Sequence, residues 1–312
     1  MCIRDRYDVL FLGSSVTYYG LVPPVFDQDM AGRGRPLRSF NLGVGGMMPI
    51  EADRVLQRFL AMEPARLKYV FVEANSWEGT LYLRDQENLF SPRMVHWHDV
   101  QGTLDAVTCL ENAPAPPEGK PDRRGEDMRD HGMIFLRWFS AAGAGLRTLR
   151  RLTGLDDEEL DPSEEELAQL HGYKDLDVID LPEWDRRRAG FLGDLDGYQR
   201  AVSRVGKGNR QPVDVTRHQN LPGLERQIAS IRAAGAEPIF YLGPRVASDP
   251  MAYALAEAGI LPSFLPFNRP GAYPELYEPE NHWDTNHLSR GGAELFTRLF
   301  AEAFADQLEG QE

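Results

Sequence analysis

The feature that most narrows the fold is a set of short apolar runs, each closed by small or turn-forming residues. Asp8-Val9-Leu10-Phe11-Leu12 runs into Gly13-Ser14-Ser15, Tyr69-Val70-Phe71-Val72-Glu73 into Ala74-Asn75, and Pro238-Ile239-Phe240-Tyr241-Leu242 into Gly243-Pro244. Near-continuous apolar runs of this length read as strands covered on both faces, whereas a strand with one wet face alternates. A further strand is expected near Arg38 to Leu42, ahead of the turn Gly43-Val44-Gly45-Gly46. Elsewhere, apolar residues recur at helical spacing. Pro49 suits a first helical position, followed by Ala52, Val55, Leu56, Phe59 and Leu60. Leu221, Leu224, Ile228 and Ile231 mark a helix ended by Gly235; Pro250 to Ala258 reads as a short helix. The last helix is expected from about Ser289 through Ala293, Phe296, Leu299, Phe300 and Phe304. Strands alternating with helices predict an α/β fold: a mainly parallel sheet of about five strands in a three-layer α/β/α arrangement.

The rhythm lapses between about 84 and 212, where Pro114-Ala115-Pro116-Pro117 and Gly119-Lys120-Pro121 have loop chemistry. Met133 to Leu152 is expected to be helical, with Ile134, Leu136, Phe139, Leu146 and Leu149 as its buried candidates. The stretch is too long for a bare loop. It reads as a mostly helical or irregular insertion (84–212) that caps or shapes a site in a single domain, 7–308, whose core is 7–83 and 213–308. Residues 1–6 follow no period and read as a truncated or non-native start.

Charge and cysteine content exclude some functions. The 312 residues carry a formal net charge of −14, which opposes binding to phosphate backbones, so no nucleic acid partner is expected. The acidic runs Asp156-Asp157-Glu158-Glu159 and Glu164-Glu165-Glu166 read as solvated faces. Cys2 and Cys109 cannot build a disulfide framework or a zinc site of the Cys-x-x-Cys kind. No apolar run approaches the roughly 18 residues of a membrane-spanning helix.

The chemistry-bearing candidates stand at the ends of strands, where ligands bind in open α/β sheets. Ser15 is the candidate nucleophile, with Ser14 as a turn or N-cap neighbour. A serine hydroxyl needs a base, a group that orients the base, and donors for the oxyanion. Asp284-Thr285-Asn286-His287 supplies His287 as base and Asp284 as its partner, just before the last helix. Trp283 and Asn286 are assigned to packing and loop shape. Gly46 and Asn75, together with the Ser15 N–H, are the oxyanion-hole candidates. In a parallel sheet these distant turns share one edge, as a serine hydrolase requires. His96-Trp97-His98-Asp99 reads as packing rather than metal binding, and no metal or cofactor is expected. His171, Tyr173 and His218 are placed as site-lining residues from the insertion. The Gly-x-Ser-x-Gly elbow is absent, with Thr17 at its last position, and Met48 replaces the third glycine of a dinucleotide fingerprint.

On these residues the chain resembles the SGNH (GDSL-like) hydrolase superfamily. Gly13-Ser14-Ser15, Asn41 to Gly46, Glu73-Ala74-Asn75 and Asp284-Thr285-Asn286-His287 stand in the order of its blocks, over about 7–83 and 213–308. The resemblance implies a flavodoxin-like sheet, with Ser15 as nucleophile, Ser15, Gly46 and Asn75 as oxyanion donors, and His287 and Asp284 as base and partner. It implies an esterase acting on a glycan or small-molecule acyl ester, acetyl being the natural acyl group. The alternatives are an O-acyltransferase acting on an envelope or exported polysaccharide, and a non-catalytic carbohydrate-binding protein. The resemblance also implies a periplasmic or cell-envelope setting, with the cytoplasm left open along with the oligomeric state. Two departures stand out. Ser14 replaces the aspartate typical of the first block, and the third block reads Glu-Ala-Asn-Ser in place of Gly-x-Asn-Asp.

Overall fold

The computed structural model describes residues 6–81, 89, 91–116, 118–140, 170–179 and 181–310. Five parallel strands make one sheet: β1 (Val9–Leu12), β2 (Ser39–Asn41), β3 (Tyr69–Glu73), β4 (Glu237–Leu242) and β5 (Phe264–Pro266), in spatial order β2-β1-β3-β4-β5. The helices are α1 (Ser15–Tyr18), α2 (Pro23–Gly32), α3 (Pro49–Leu60), α4 (Pro92–Trp97), α5 (Val100–Asn112) and α6 (Arg124–Ser140). They continue with α7 (Pro182–Gly193), α8 (Leu195–Gly208), α9 (Leu221–Ala233), α10 (Pro250–Glu257) and α11 (Arg290–Glu309).

The expected three-layer fold is present, and the reason lies in the strand period of two. Alternate residues of each strand point to opposite faces. Leu10, Leu12, Val70, Val72 and Phe240 pack with Ile50 and Leu56 of α3 and Leu224 and Ile231 of α9. On the other face, Val9, Phe11, Phe71 and Tyr241 meet Phe26 of α2 and Phe296, Phe300 and Phe304 of α11. The rings there form a cluster, with Phe11 stacked on Phe71 at 5.3 Å and Phe71 edge-on to Phe300 at 4.9 Å. Because β2 and β3 flank β1 on opposite sides, the topology reverses between β1 and β3. A crevice at the carboxyl ends of the strands follows from that reversal. Ser15 follows β1 and Asn75 follows β3, so both stand at it.

Several elements depart from the expected boundaries. The fifth strand, Phe264–Pro266, is half-exposed and too short to show a period. The helix expected at Met133–Leu152 begins at Arg124; of its expected buried residues Ile134 is buried but Leu136 and Phe139 are exposed, and residues 141–152 lie outside the described ones, as do both acidic runs and residues 1–5. The segment expected as an insertion contributes Met94, Trp97, Ala106, Cys109 and Ile134 to the sheet's own core. Two of its helices bury few residues and were not expected: α7 buries Phe191, and α8 buries Tyr198 and Val205. Among the described residues, no helix is long and apolar enough to cross a membrane.

Candidate active site

Gly13 ends β1 where a side chain has no room: a Cβ there would lie 2.0 Å from Thr17 Oγ1 and 2.4 Å from Glu73 Oε2. Ser14 then caps α1, its Oγ accepting from Val16 N at 3.3 Å, and Ser15 is the first residue of that helix. An N–H at a first helical position has no carbonyl of its own helix to meet. It therefore remains available to a ligand.

The opposing loop is braced at both ends. His282 and Leu288 form an antiparallel bridge, Trp283 N donates to His287 O at 2.8 Å, and Ser289 caps α11. Arg188 of α7 donates to the carbonyls of His282 and Trp283. This loop places His287 Nε2 2.8 Å from Ser15 Oγ. The other ring nitrogen, Nδ1, lies 3.0 Å from each oxygen of Asp284. Asp284 Oδ1 also accepts from Asn286 N at 2.7 Å and His287 N at 2.9 Å. Burial by itself would raise the Asp284 pKa, but the hydrogen bond and charge of His287 and the two backbone donors outweigh it and hold the carboxyl below its usual value. An ionised Asp284 keeps the proton on Nδ1, leaving Nε2 as the acceptor that faces Ser15. Tyr19 and Trp184 present ring edges to the imidazole at 5.6 Å each and shield it.

Gly46 and Asn75 line an open cleft of about 800 Å³ together with Ser15 and His287. Gly46 has φ +63°, a region that suits glycine. The turn before it is tied to β2, since Asn41 Oδ1 accepts from Gly43 N at 2.8 Å while Asn41 Nδ2 donates to Thr17 O and Leu21 O. Asn75 Oδ1 is buried with no partner among the described residues. The amide therefore turns its oxygen into the protein.

Four residues that serve this arrangement were not singled out from the sequence: Glu73, Arg93, Trp184 and Arg188. Glu73 and Ser14 are bonded to each other across the β1 and β3 ends. The buried Glu73 carboxylate accepts from Ser14 N at 2.6 Å, Ser14 Oγ at 2.9 Å and Thr17 Oγ1 at 2.9 Å.

Arg93 of α4 acts on the glycine turn. It donates to Gly45 O at 2.9 Å and Gly46 O at 3.0 Å while its fork grips Glu51 at 2.7 Å on both oxygens. Peptides are planar and trans, so holding Gly45 O aims Gly46 N–H the opposite way. If the Gly46 N–H stabilises an oxyanion, as proposed below, Arg93→Ala is expected to lower kcat by about 10- to 100-fold, since a displaced donor no longer meets the developing charge. Steady-state kinetics on the folded variant, with KM changing much less than kcat, provide the check.

His218 lines a second, smaller cavity beside the cleft, whereas His171 and Tyr173 do not line the site. The His171 carbonyl accepts from Asn41 N at 2.8 Å along the edge of β2, and Tyr173 is buried in the α2/α11 core. Both pack locally, so their expected place at the site is corrected. Asn286 lines the cleft, and Arg188 lies 5.3 Å over the Trp283 ring. His98 is buried 2.8 Å from His131, and among the described residues no group of three or more His, Cys, Asp or Glu could hold a metal ion. Compared with protein-family models, with curated proteins and with solved structures, the chain matches none.

Proposed function

We propose that the protein is a serine esterase of the SGNH type, hydrolysing a short acyl ester of a carbohydrate or small molecule. One observation carries this reading: His287 lies within hydrogen-bond reach of Ser15 Oγ on one ring nitrogen and of Asp284 on the other. Ser15 Oγ attacks the ester carbonyl as its proton passes to His287 Nε2. The negative charge formed on the carbonyl oxygen is met by the N–H groups of Ser15 and Gly46 and by the Asn75 amide. Collapse breaks the bond to the alcohol, which leaves with the proton from His287. A water then repeats the sequence on the acyl-enzyme, and Ser15 recovers its proton. Asp284 remains ionised and steadies the imidazolium throughout.

Incubation with a fluorophosphonate probe is expected to give one adduct per chain, on Ser15, detected by peptide mass spectrometry. Folded protein that takes no label at Ser15 would exclude an acyl-enzyme and favour a non-catalytic carbohydrate-binding role. The cleft supports a second acceptor for the same intermediate. Its far side is polar, with Glu78, Arg245, Ser248 and Asp249 on the wall, and it is much larger than an acetyl group needs. Such a wall suits an alcohol rich in hydroxyls. Acyl-enzyme turnover that depends on added carbohydrate would identify an O-acyltransferase.

A further inference from the structure

Next to the cleft lies the smaller cavity that His218 borders. The two share walls, Ser14, Met47, Asn75 and Met251 among them, so the cavity adjoins the cleft beside the residue before Ser15. Its far walls are apolar: Ala52 of α3, Leu224 of α9, Phe240 of β4, and Ala252 and Leu255 of α10. These residues belong to the main core, where interiors pack densely and an apolar void forfeits dispersion contacts. A gap retained there, against the residue before the candidate nucleophile, calls for an occupant.

We propose that this cavity is the acyl pocket of the site, built for a short unbranched acyl chain. The inference rests on the esterase reading. The cavity measures about 30 Å³. One water needs roughly 10–15 Å³ on that measure, so there is room for about two or three carbons beyond the carbonyl, a propionyl or butyryl group. Polar side chains on the border are mostly engaged. Glu73 is held by Ser14 and Thr17, Asp249 Oδ1 accepts from Ala252 N, and His218 Nδ1 accepts from Asn220 N. Gln227 Oε1 is buried without a partner among the described residues, which makes a bound water the rival occupant. A water there would leave the acyl-chain length without effect on rate.

The test is the rate of hydrolysis of p-nitrophenyl acetate, propionate, butyrate, hexanoate and octanoate. Each added methylene up to butyrate is expected to raise kcat/KM about fourfold, and hexanoate and octanoate to fall by about tenfold or more. Ala252→Leu fills the cavity and is expected to bring the butyrate-to-acetate ratio from about fifteenfold down to near one. Leu255→Ala enlarges it and is expected to move the optimum to hexanoate. Circular dichroism checks that each variant is folded, and the wild-type profile decides the matter if neither folds. A flat profile, or one that folded Ala252→Leu leaves unchanged, overturns the pocket while Ser15 labelling and acetate turnover keep the esterase reading. Absence of both labelling and turnover in the wild type overturns the two together.

Discussion

Ser15→Ala is expected to lower kcat for p-nitrophenyl acetate by about 10³-fold or more, because it removes the hydroxyl that forms the acyl bond in the proposed mechanism. Stability changes little. Ser15 is half-buried at the first position of a four-residue helix, and its side chain contributes one hydrogen bond, to His287. Losing a single bond at the edge of a wet cleft costs about 1 kcal/mol. The melting temperature and far-ultraviolet spectrum should therefore match the wild type. Turnover that survives the substitution would move the nucleophile elsewhere and remove the role assigned to the Asp284 loop.

Asp284→Asn is the second large effect, an expected loss of about 10³- to 10⁴-fold in kcat with the fold retained. A neutral amide no longer holds the proton on His287 Nδ1 or balances the charge that forms on the ring. The same carboxylate gives a pH signature in stability. Its folded pKa lies below the ordinary aspartate value of 3.8, so the folded state binds this proton less readily than the unfolded chain. The stabilisation is fully present above the unfolded value of about 3.9, and it is lost as the pH falls through the folded value. Wild type and Asp284→Asn should thus differ in melting temperature by a constant amount from neutral pH down to about pH 5, and converge only in stronger acid. A gap that widens on acidification would show that the carboxyl is not the ionised partner of His287.

Much of the scaffold could be read from one dimension. Val9–Leu12, Tyr69–Glu73 and Glu237–Leu242 announce themselves because a strand buried on both faces has no polar positions to confuse the pattern. Ser15, Gly46, Asn75 and the Asp284/His287 pair could be proposed as neighbours for a related reason: strand ends in a parallel sheet share an edge, so local turn chemistry carries long-range meaning. Phe264–Pro266 was hidden because three half-exposed residues have no period. Glu73 was visible only as a departure from a pattern. Its partners Ser14 and Thr17 are more than fifty residues away in the chain, and the bond between them exists only once β1 and β3 are paired.

The sequence by itself determined where the main strands lie and which turns follow them, since backbone period and turn chemistry are local properties. Tertiary structure alone decided how those residues are held. Arg93 reaches the Gly45 and Gly46 carbonyls from a helix that periodicity had not located, and Arg188 and Trp184 brace His287 from another. It also decided that an apolar cavity stays open beside Asn75, a volume bounded by α3, α9, α10 and β4 together. Such features depend on the distance between side chains far apart in sequence, and only the packed chain sets that distance.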